Sequence, residues 1–496
     1  MPAAVSRGPD KLFISRDALA HTMRAEVLSI AAKRNMFLSP EALEAILSNS
    51  EPIDFAVTVL SSLSSNPAFV TAKDIMNFVS GESTVMDSPK TIVPKNKRQP
   101  DMKVVPGTDI TGESTCEGKI DDFAKYFKNR YLALRRMIES RRDFGRGISI
   151  KDATSVERDV KIVGIVSDVV TTKNGHRMVT IEDDTGTCKV LFLKDSPLSN
   201  DMLVTDEVIG IIGRATGKDM IMAKEIFRPD IPAINNWVAS DSVASVAFLS
   251  DIHVGSRTFL KERWKEMVKW MKENAYEHDI DYLIIPGDAV DGIGIFPGQE
   301  DELETHDIYR QYEHLAEYVK ELPDHIKIVL QPGNHDAARP AEPQPALSKV
   351  FTSVFDSSVM MLGNPVYLEI EKRNVLTYHG RSIDDWVSGV QQLTYDDPIA
   401  IMKEMLTRRH LAPIYGQKTA LAPEKKDYLL IEKVPDIFIT GHVHGAGYLN
   451  YRGVRTINAS AWQGQTEYQK MHNFNPEPAV MPMVHLGTGK VTMKRF

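Results

Sequence analysis

Five short clusters of carboxylate, amide and imidazole side chains recur along the second half of the chain. They are Asp251 and His253 in Ser250-Asp251-Ile252-His253, and Asp288 and Asp291 in Gly287-Asp288-Ala289-Val290-Asp291. Asn334, His335 and Asp336 follow in Pro332-Gly333-Asn334-His335-Asp336, then His379 in His379-Gly380-Arg381-Ser382, and His442 and His444 in Gly441-His442-Val443-His444. Oxygen and nitrogen donors without thiolate suit a divalent, dinuclear centre. The Asp288 carboxylate is a candidate bridge between two ions about 3.5–4 Å apart, which would activate a water and neutralise phosphate oxygens. His335 is the candidate proton donor to a leaving oxygen, with Asp336 or Asp291 steadying its ring. Arg381 is a candidate phosphate contact and equally a candidate surface salt-bridge partner. One such cluster alone is commonplace, and a lone His is more often a satisfied polar residue than a ligand. Five clusters, each at the end of an expected strand, decide for the metal.

Those strands are the apolar runs 243–249, 281–285, 326–330, 375–378 and 436–440, each leading into one cluster. Pro-Gly or Gly then turns the chain, which puts the ligands at carboxyl ends of strands, where open α/β sheets bind ligands. If the tips stay extended, the period-two alternation of side chains aims Asp251 with His253, and His442 with His444, to one side. A helix is expected over 262–276.

Length sets a prior of roughly three domains. Hydrophobic content of 42% and charged content of 25% fit a soluble globular protein. The net charge of −8 excludes a globally basic chain, so contact with nucleic acid must come from local patches or a partner. Cys116 and Cys188 have no CxxC neighbour, which argues against a thiolate zinc site or a disulfide framework and fits a reducing cytosol. With no apolar run of about 18 residues and no charged-then-apolar start, neither a membrane span nor a secretory signal is expected.

Upstream, residues 1–81 read as a small helical module for partner docking. Helices are expected over 17–37, after the Ser39-Pro40 cap, over 54–63, and over 71–79, the last with Thr71 and Asp74 as a capping box and Gly81 as a stop. Residues 82–118, broken by Pro89, Pro94, Pro100 and Pro106, read as a flexible linker. There Lys95-Asn96-Lys97-Arg98 reads as a solvated charge run. Residues 119–156 hold an amphipathic helix over 120–142, with Phe123, Phe127, Leu134, Met137 and Ile138 on one face. Arg130, Arg135, Arg136, Arg141 and Arg142 crowd the rest, as a plain surface or as a strut near nucleic acid. Residues 157–232 carry about five Val/Ile-rich strands and an Asn174-Gly175 hairpin turn, which fits an OB-type barrel. Their scarcity of aromatics favours protein docking over single-strand binding.

The motifs D-x-H, G-D, G-N-H-D, H and G-H-x-H resemble those of the calcineurin-like metallophosphoesterase superfamily, in order, over residues 243–460. The G-N-H-D form is similar to the DNA-cutting branch, and Val290-Asp291-Gly292 lacks the Arg that protein phosphatases favour at that place. The whole chain resembles the small subunits of archaeal family D DNA polymerase, which implies this fold class: an α/β metallophosphoesterase sandwich of mixed sheets flanked by helices over 233–496, preceded by the barrel and the helical module. The resemblance further implies a 3′→5′ proofreading exonuclease in a heterodimer with a large catalytic polymerase subunit, meeting a DNA 3′ end and the sliding clamp, in the cytoplasm at the nucleoid. It implies two divalent ions, manganese by preference, although iron and zinc suit the donors. One would take Asp251, His253, Asp288 and His444, the other Asp288, Asn334, His379 and His442, with His335 as general acid. A catalytically silent assembly subunit and a small-molecule phosphodiesterase are the competing readings. The stretch 383–426 carries no motif of the family.

Overall fold

In the computed structural model, residues 16–34, 36–49, 52–62, 69–72, 75, 100–233, 235–471 and 474–496 are described. The chain divides into two compact units, Met1–Pro94 and Lys95–Phe496.

The first unit contains helices Arg16–Ala32, Pro40–Leu47 and Pro52–Ser62 and two short strands, β1 (Phe37–Leu38) and β2 (Phe69–Val70), paired in parallel. Pro40 starts its helix because proline's fixed φ suits that position, and the Ser39 hydroxyl accepts the Ala42 N–H at 3.1 Å. Val27, Ala31, Leu43, Ile46, Val59 and Leu60 form its buried core. The pair β1–β2 was not foreseen; its strands are too short to show a period. The helix expected over 71–79 and the charge run 95–98 lie outside the described residues, apart from 71, 72 and 75.

In the second unit, β3 (Met102–Val104) opens a correction. The expected linker 82–118 is not a linker over its described part, because β3 pairs antiparallel with residues 368–370 as an edge strand. Glu424 then accepts from Ser114 Oγ, Thr115 N and Cys116 N. Polar residues read as solvated thus have partners about 300 positions away, which local composition cannot reveal. The helix Ile120–Glu139 follows and buries Tyr126, Arg130, Tyr131, Leu134 and Ile138, with Phe123, Phe127 and Met137 half-buried. Arg130 is fully buried against Asp427 at 2.9 Å, so it does not belong to a basic surface.

Strands β4 (Asp159–Thr171), β5 (Arg177–Asp183), β6 (Gly186–Phe192), β7 (Val208–Ala215) and β8 (Met220–Phe227) close into a barrel in the order β4-β5-β6-β8-β7. That is the Greek-key order of an OB-type barrel. Barrel and following domain belong to one compact unit: buried Glu207 at the start of β7 pairs with Arg228 and with Arg408 downstream, both at 2.9 Å.

The remaining strands are β9 (Ser245–Phe248), β10 (Ile280–Ile285), β11 (Lys327–Leu330), β12 (Val359–Met361), β13 (Val366–Ile370), β14 (Arg373–Thr377), β15 (Ile437–Thr440), β16 (Ala446–Tyr451), β17 (Val454–Ala459), β18 (Val480–His485) and β19 (Val491–Arg495). They form two six-stranded mixed sheets, β12-β11-β10-β9-β18-β19 and β16-β17-β15-β14-β13-β3. Val246, Phe248, Tyr282, Ile284 and Val329 face the second sheet, meeting Leu368, Val375, Ile437, Ile439 and Ile457. Their alternates Ala247, Leu249, Leu283, Ile285 and Leu330 face the helices Lys261–Asn274 and Ile308–Lys320. Strands covered on both faces must be apolar throughout, which is why each reads as an uninterrupted run. Helices Ile383–Gly389 and Pro398–Arg408, from the stretch without a motif, bury Trp386, Ile401, Met402 and Met405 in the apolar cluster that also holds Leu376 and Phe438 of the second sheet.

Candidate metal centre

Asp251 and His253 leave β9, Asp288 and Asp291 leave β10, and Asn334, His335 and Asp336 leave β11, all in the first sheet. His379 leaves β14 and His442 and His444 leave β15, in the second. The two sets meet at the shared rim of the sandwich. The tips are not extended, contrary to the period-two expectation: Asp251, His253, Asp288, His442 and His444 all have φ between 49° and 70°. Left-handed residues other than glycine cost about 1 kcal/mol or more each and persist only where the surroundings fix them. Here the Asp251 and His253 N–H groups donate to the carbonyls of Gly287 and Asp288, each at 3.1 Å, and the His442 N–H donates to Asp251 Oδ2 at 2.8 Å. Two glycines allow the approach. A Cβ on Gly441 would collide with Ser250 and Asp251, and one on Gly333 with Asp288.

The donors gather in two halves. In the first, His253 Nε2 and His444 Nε2 lie 3.2 Å apart, and Asp251 Oδ1 lies 3.9 and 3.5 Å from them. In the second, His379 Nε2 lies 3.3 Å from Asp288 Oδ2 and 3.1 Å from Asn334 Oδ1, with His442 completing the set. Asp288 joins the halves. Oδ1 accepts the His335 N–H at 2.8 Å, while Oδ2 alone stands 3.3 Å from His379 and 3.9 Å from His253. Asp251 Oδ1 is buried with no hydrogen-bond partner. A bare buried carboxylate oxygen is costly unless it meets a cation. Together with the mixed oxygen and imidazole donor set, it makes these residues fit a metal cation.

Supporting contacts fix the ligands. His253 Nδ1 donates to Asp291 Oδ1 at 3.0 Å, which leaves Nε2 for an ion. Asp291 is itself held by Gln463 and Gln299, at 3.0 and 3.1 Å, and the Gln469 amide lies 2.9 Å from His444 Nδ1. The roles given to Asp291 and Asp336 beside His335 therefore need correction. His335 Nδ1 donates to the Asp291 backbone carbonyl at 2.8 Å, not to either carboxylate. Asp336 points away and accepts from Gly333 N at 2.8 Å and the Tyr312 hydroxyl at 3.1 Å, bracing the loop that carries Asn334. Burial, with the charge of Asp288 beside it, pushes the Asp336 carboxyl up to about 6.

Burial opposes charge throughout; ion pairing outweighs it at Asp288 and His379, and burial prevails at Asp251, His444 and His335. Burial would lift Asp288, but the His379 and His335 charges hold it well below the usual carboxylate range. Burial would lower His379, yet Asp288 and Asp251 raise it to about 9. Burial raises Asp251, with Asp288 adding to it, and lowers His444 and His335.

Sequence reasoning missed Asp384. It lies 3.2 Å from His442 Nε2, 3.2 Å from Arg381, and accepts the Tyr395 hydroxyl at 3.0 Å. Its one signal was its place five residues after His379. Gln299, Gln463 and Gln469 gave none. Arg381 makes the surface salt bridge and also lines the cavity over the centre, about 760 Å³ in volume, with Lys418.

Residues 246–446 match the family model for the B subunits of DNA polymerases alpha and epsilon. The chain is 44% identical to the DNA polymerase II small subunit of Archaeoglobus fulgidus, over 78% of this chain and 80% of that one. It is 43% identical to that of Thermoplasma acidophilum, over 76% and 78%, and 39% identical to that of Methanothermobacter thermautotrophicus, over 80% and 83%. Among solved structures it is similar to an archaeal phosphodiesterase, at 10% identity and a TM-score of 0.26, over 51% of this chain and 99% of that one. With such identity across most of both chains, this protein belongs to the family of archaeal DNA polymerase small subunits that its motifs resemble.

Proposed function

We propose that this protein is the 3′→5′ exonuclease of a replicative polymerase, acting with a large catalytic subunit and two divalent ions, manganese by preference. The observation that carries the reading is the pair of donor halves meeting on Asp288 Oδ2, with the His335 ring centroid 4.7 Å from that of His253. When bound, the ions supply Lewis acidity toward a water and the phosphate oxygens. Asp251, His253, Asp288 and His444 would hold one, and Asp288, Asn334, His379 and His442 the other.

The chain's own residues orient the rest. His335 keeps Nδ1–H on the Asp291 carbonyl, so Nε2 is the nitrogen that carries a proton to the leaving 3′-oxygen. Burial disfavours its imidazolium, and an entering phosphodiester restores the charge balance by bringing an anion. Arg381 and Lys418 supply positive charge in the same cavity. A water oxygen bonds to phosphorus, the P–O3′ bond breaks, and the released nucleotide keeps its 5′-phosphate.

The test is manganese-dependent release of nucleotides from a labelled 3′ end by the chain with its large partner. His335→Ala should lower the rate about 10²–10⁴-fold with metal content unchanged; equal rates would refute the mechanism. A silent assembly role would give a complex that forms and releases nothing. A small-molecule enzyme would prefer a simple ester to DNA.

A further inference from the structure

The imidazoles of the two donor halves are not held alike. In the first half each has a side chain behind it: Asp291 takes His253 Nδ1, and the Gln469 amide lies against His444 Nδ1. In the second half His379 Nδ1 is buried with no hydrogen-bond partner. That leaves His442, whose Nε2 lies 3.2 Å from Asp384 Oδ1. The carboxylate comes from the helix Ile383–Gly389, in the stretch that carries no motif of the family. It is itself fixed from two sides. The Tyr395 hydroxyl donates to Oδ1 at 3.0 Å, and Arg381 pairs with Oδ2 at 3.2 Å. Among the described residues, the donor groups that could hold an ion include His442 but not Asp384. A neutral imidazole carries one N–H, and the group that holds this N–H leaves the other nitrogen to the ion.

We propose that Asp384 is a positioning residue for the second ion: it holds the Nε2–H of His442, keeps Nδ1 for the ion, and so sets the affinity of that half without touching the metal. The proposal rests on the two-ion reading above. Asp291 is the counterpart in the first half, through His253. The two ions therefore answer to different carboxylates, one beside a motif and one outside all of them. Arg381 balances the charge of Asp384 from the side away from His442, which lets a buried carboxylate stand behind a neutral imidazole.

The test is manganese binding by the full chain without substrate, read by calorimetry and by electron paramagnetic resonance. The wild type should take two ions and show the exchange-coupled signal of a manganese pair. Asp384→Ala should weaken one ion about 10–100-fold and leave the other unchanged. At matched manganese its spectrum should then show the signal of a lone ion, and excess manganese should restore the coupled one. Asp384→Asn keeps an oxygen for the Nε2–H and should weaken the same ion by a smaller factor; it decides the matter if the alanine variant does not fold. Asp291→Asn should weaken the other ion instead. Unchanged affinities in the Asp384 variants, or an equal loss of both ions, would overturn the proposal. A wild type that takes a single ion would overturn it together with the two-ion reading. Two ions and the expected split, with no release of nucleotides from DNA, would leave the proposal standing and defeat the nuclease reading.

Discussion

At the scale of single residues, the candidate metal donors are held by hydrogen bonds behind them. Asp291 fixes the His253 tautomer, so Asp291→Asn should weaken manganese binding about 10–100-fold, read by calorimetry, with the melting temperature little changed. His379 gives a pH dependence. In the metal-free chain Asp288 and Asp251 outweigh burial and hold its proton up to about 9, and an incoming ion must displace that proton. Manganese affinity should therefore rise with pH, about ten-fold per unit through the neutral range, and level off above about 9. A flat profile between pH 6 and 8 would contradict the ion pair that His379 makes with Asp288.

At the scale of elements, the centre is where two sheets bring their loops within hydrogen-bonding distance. Gly333 and Gly441 make that approach possible, since a Cβ at either would strike a metal donor or its neighbour. Gly441→Ala should destabilise the protein by about 1–3 kcal/mol and reduce its metal content, whereas Gly416→Ala, strained by its φ of +77° but with nothing near its Cβ, should leave metal content unchanged. The five strands behind the ligands were legible in the sequence, since burial on both faces makes each an apolar run. The conformation of their tips was not. Left-handed Asp251 and His253 replace the extended tip that alternation suggested, because backbone bonds to the next strand's loop fix them.

At the scale of the molecule, barrel, long helix and sandwich are fastened by buried charge. Asp427 accepts from Tyr126 at 2.7 Å and from Arg130 at 2.9 Å, and pairs with His410 at 2.7 Å. Asp427→Ala strands a buried guanidinium and should cost about 3–5 kcal/mol, visible as a large fall in melting temperature. Burial opposes its ionisation, but His410 and Arg130 depress its pKa below the usual carboxylate range. Its stabilising share is thus complete above the ordinary carboxylate pKa and fades as pH falls through the folded value. The first unit has its own core, so removing residues 1–94 should leave the melting and metal binding of the second unit unchanged. If the helical module is the docking element, the same deletion abolishes co-purification with the large subunit.

By itself the sequence determined the strands, the barrel and which residues gather at the rim, because each of these is written in local periodicity or in a motif a few residues long. Only the tertiary structure decided that one oxygen of Asp288 spans both halves. The same holds for the Asp291 carbonyl, rather than a carboxylate, steadying His335, for the approach of Asp384 to His442, and for residues 102–104 joining a sheet instead of belonging to a linker. Each is a contact between segments tens to hundreds of residues apart, and such contacts are selected by how two sheets pack rather than by any pattern along the chain.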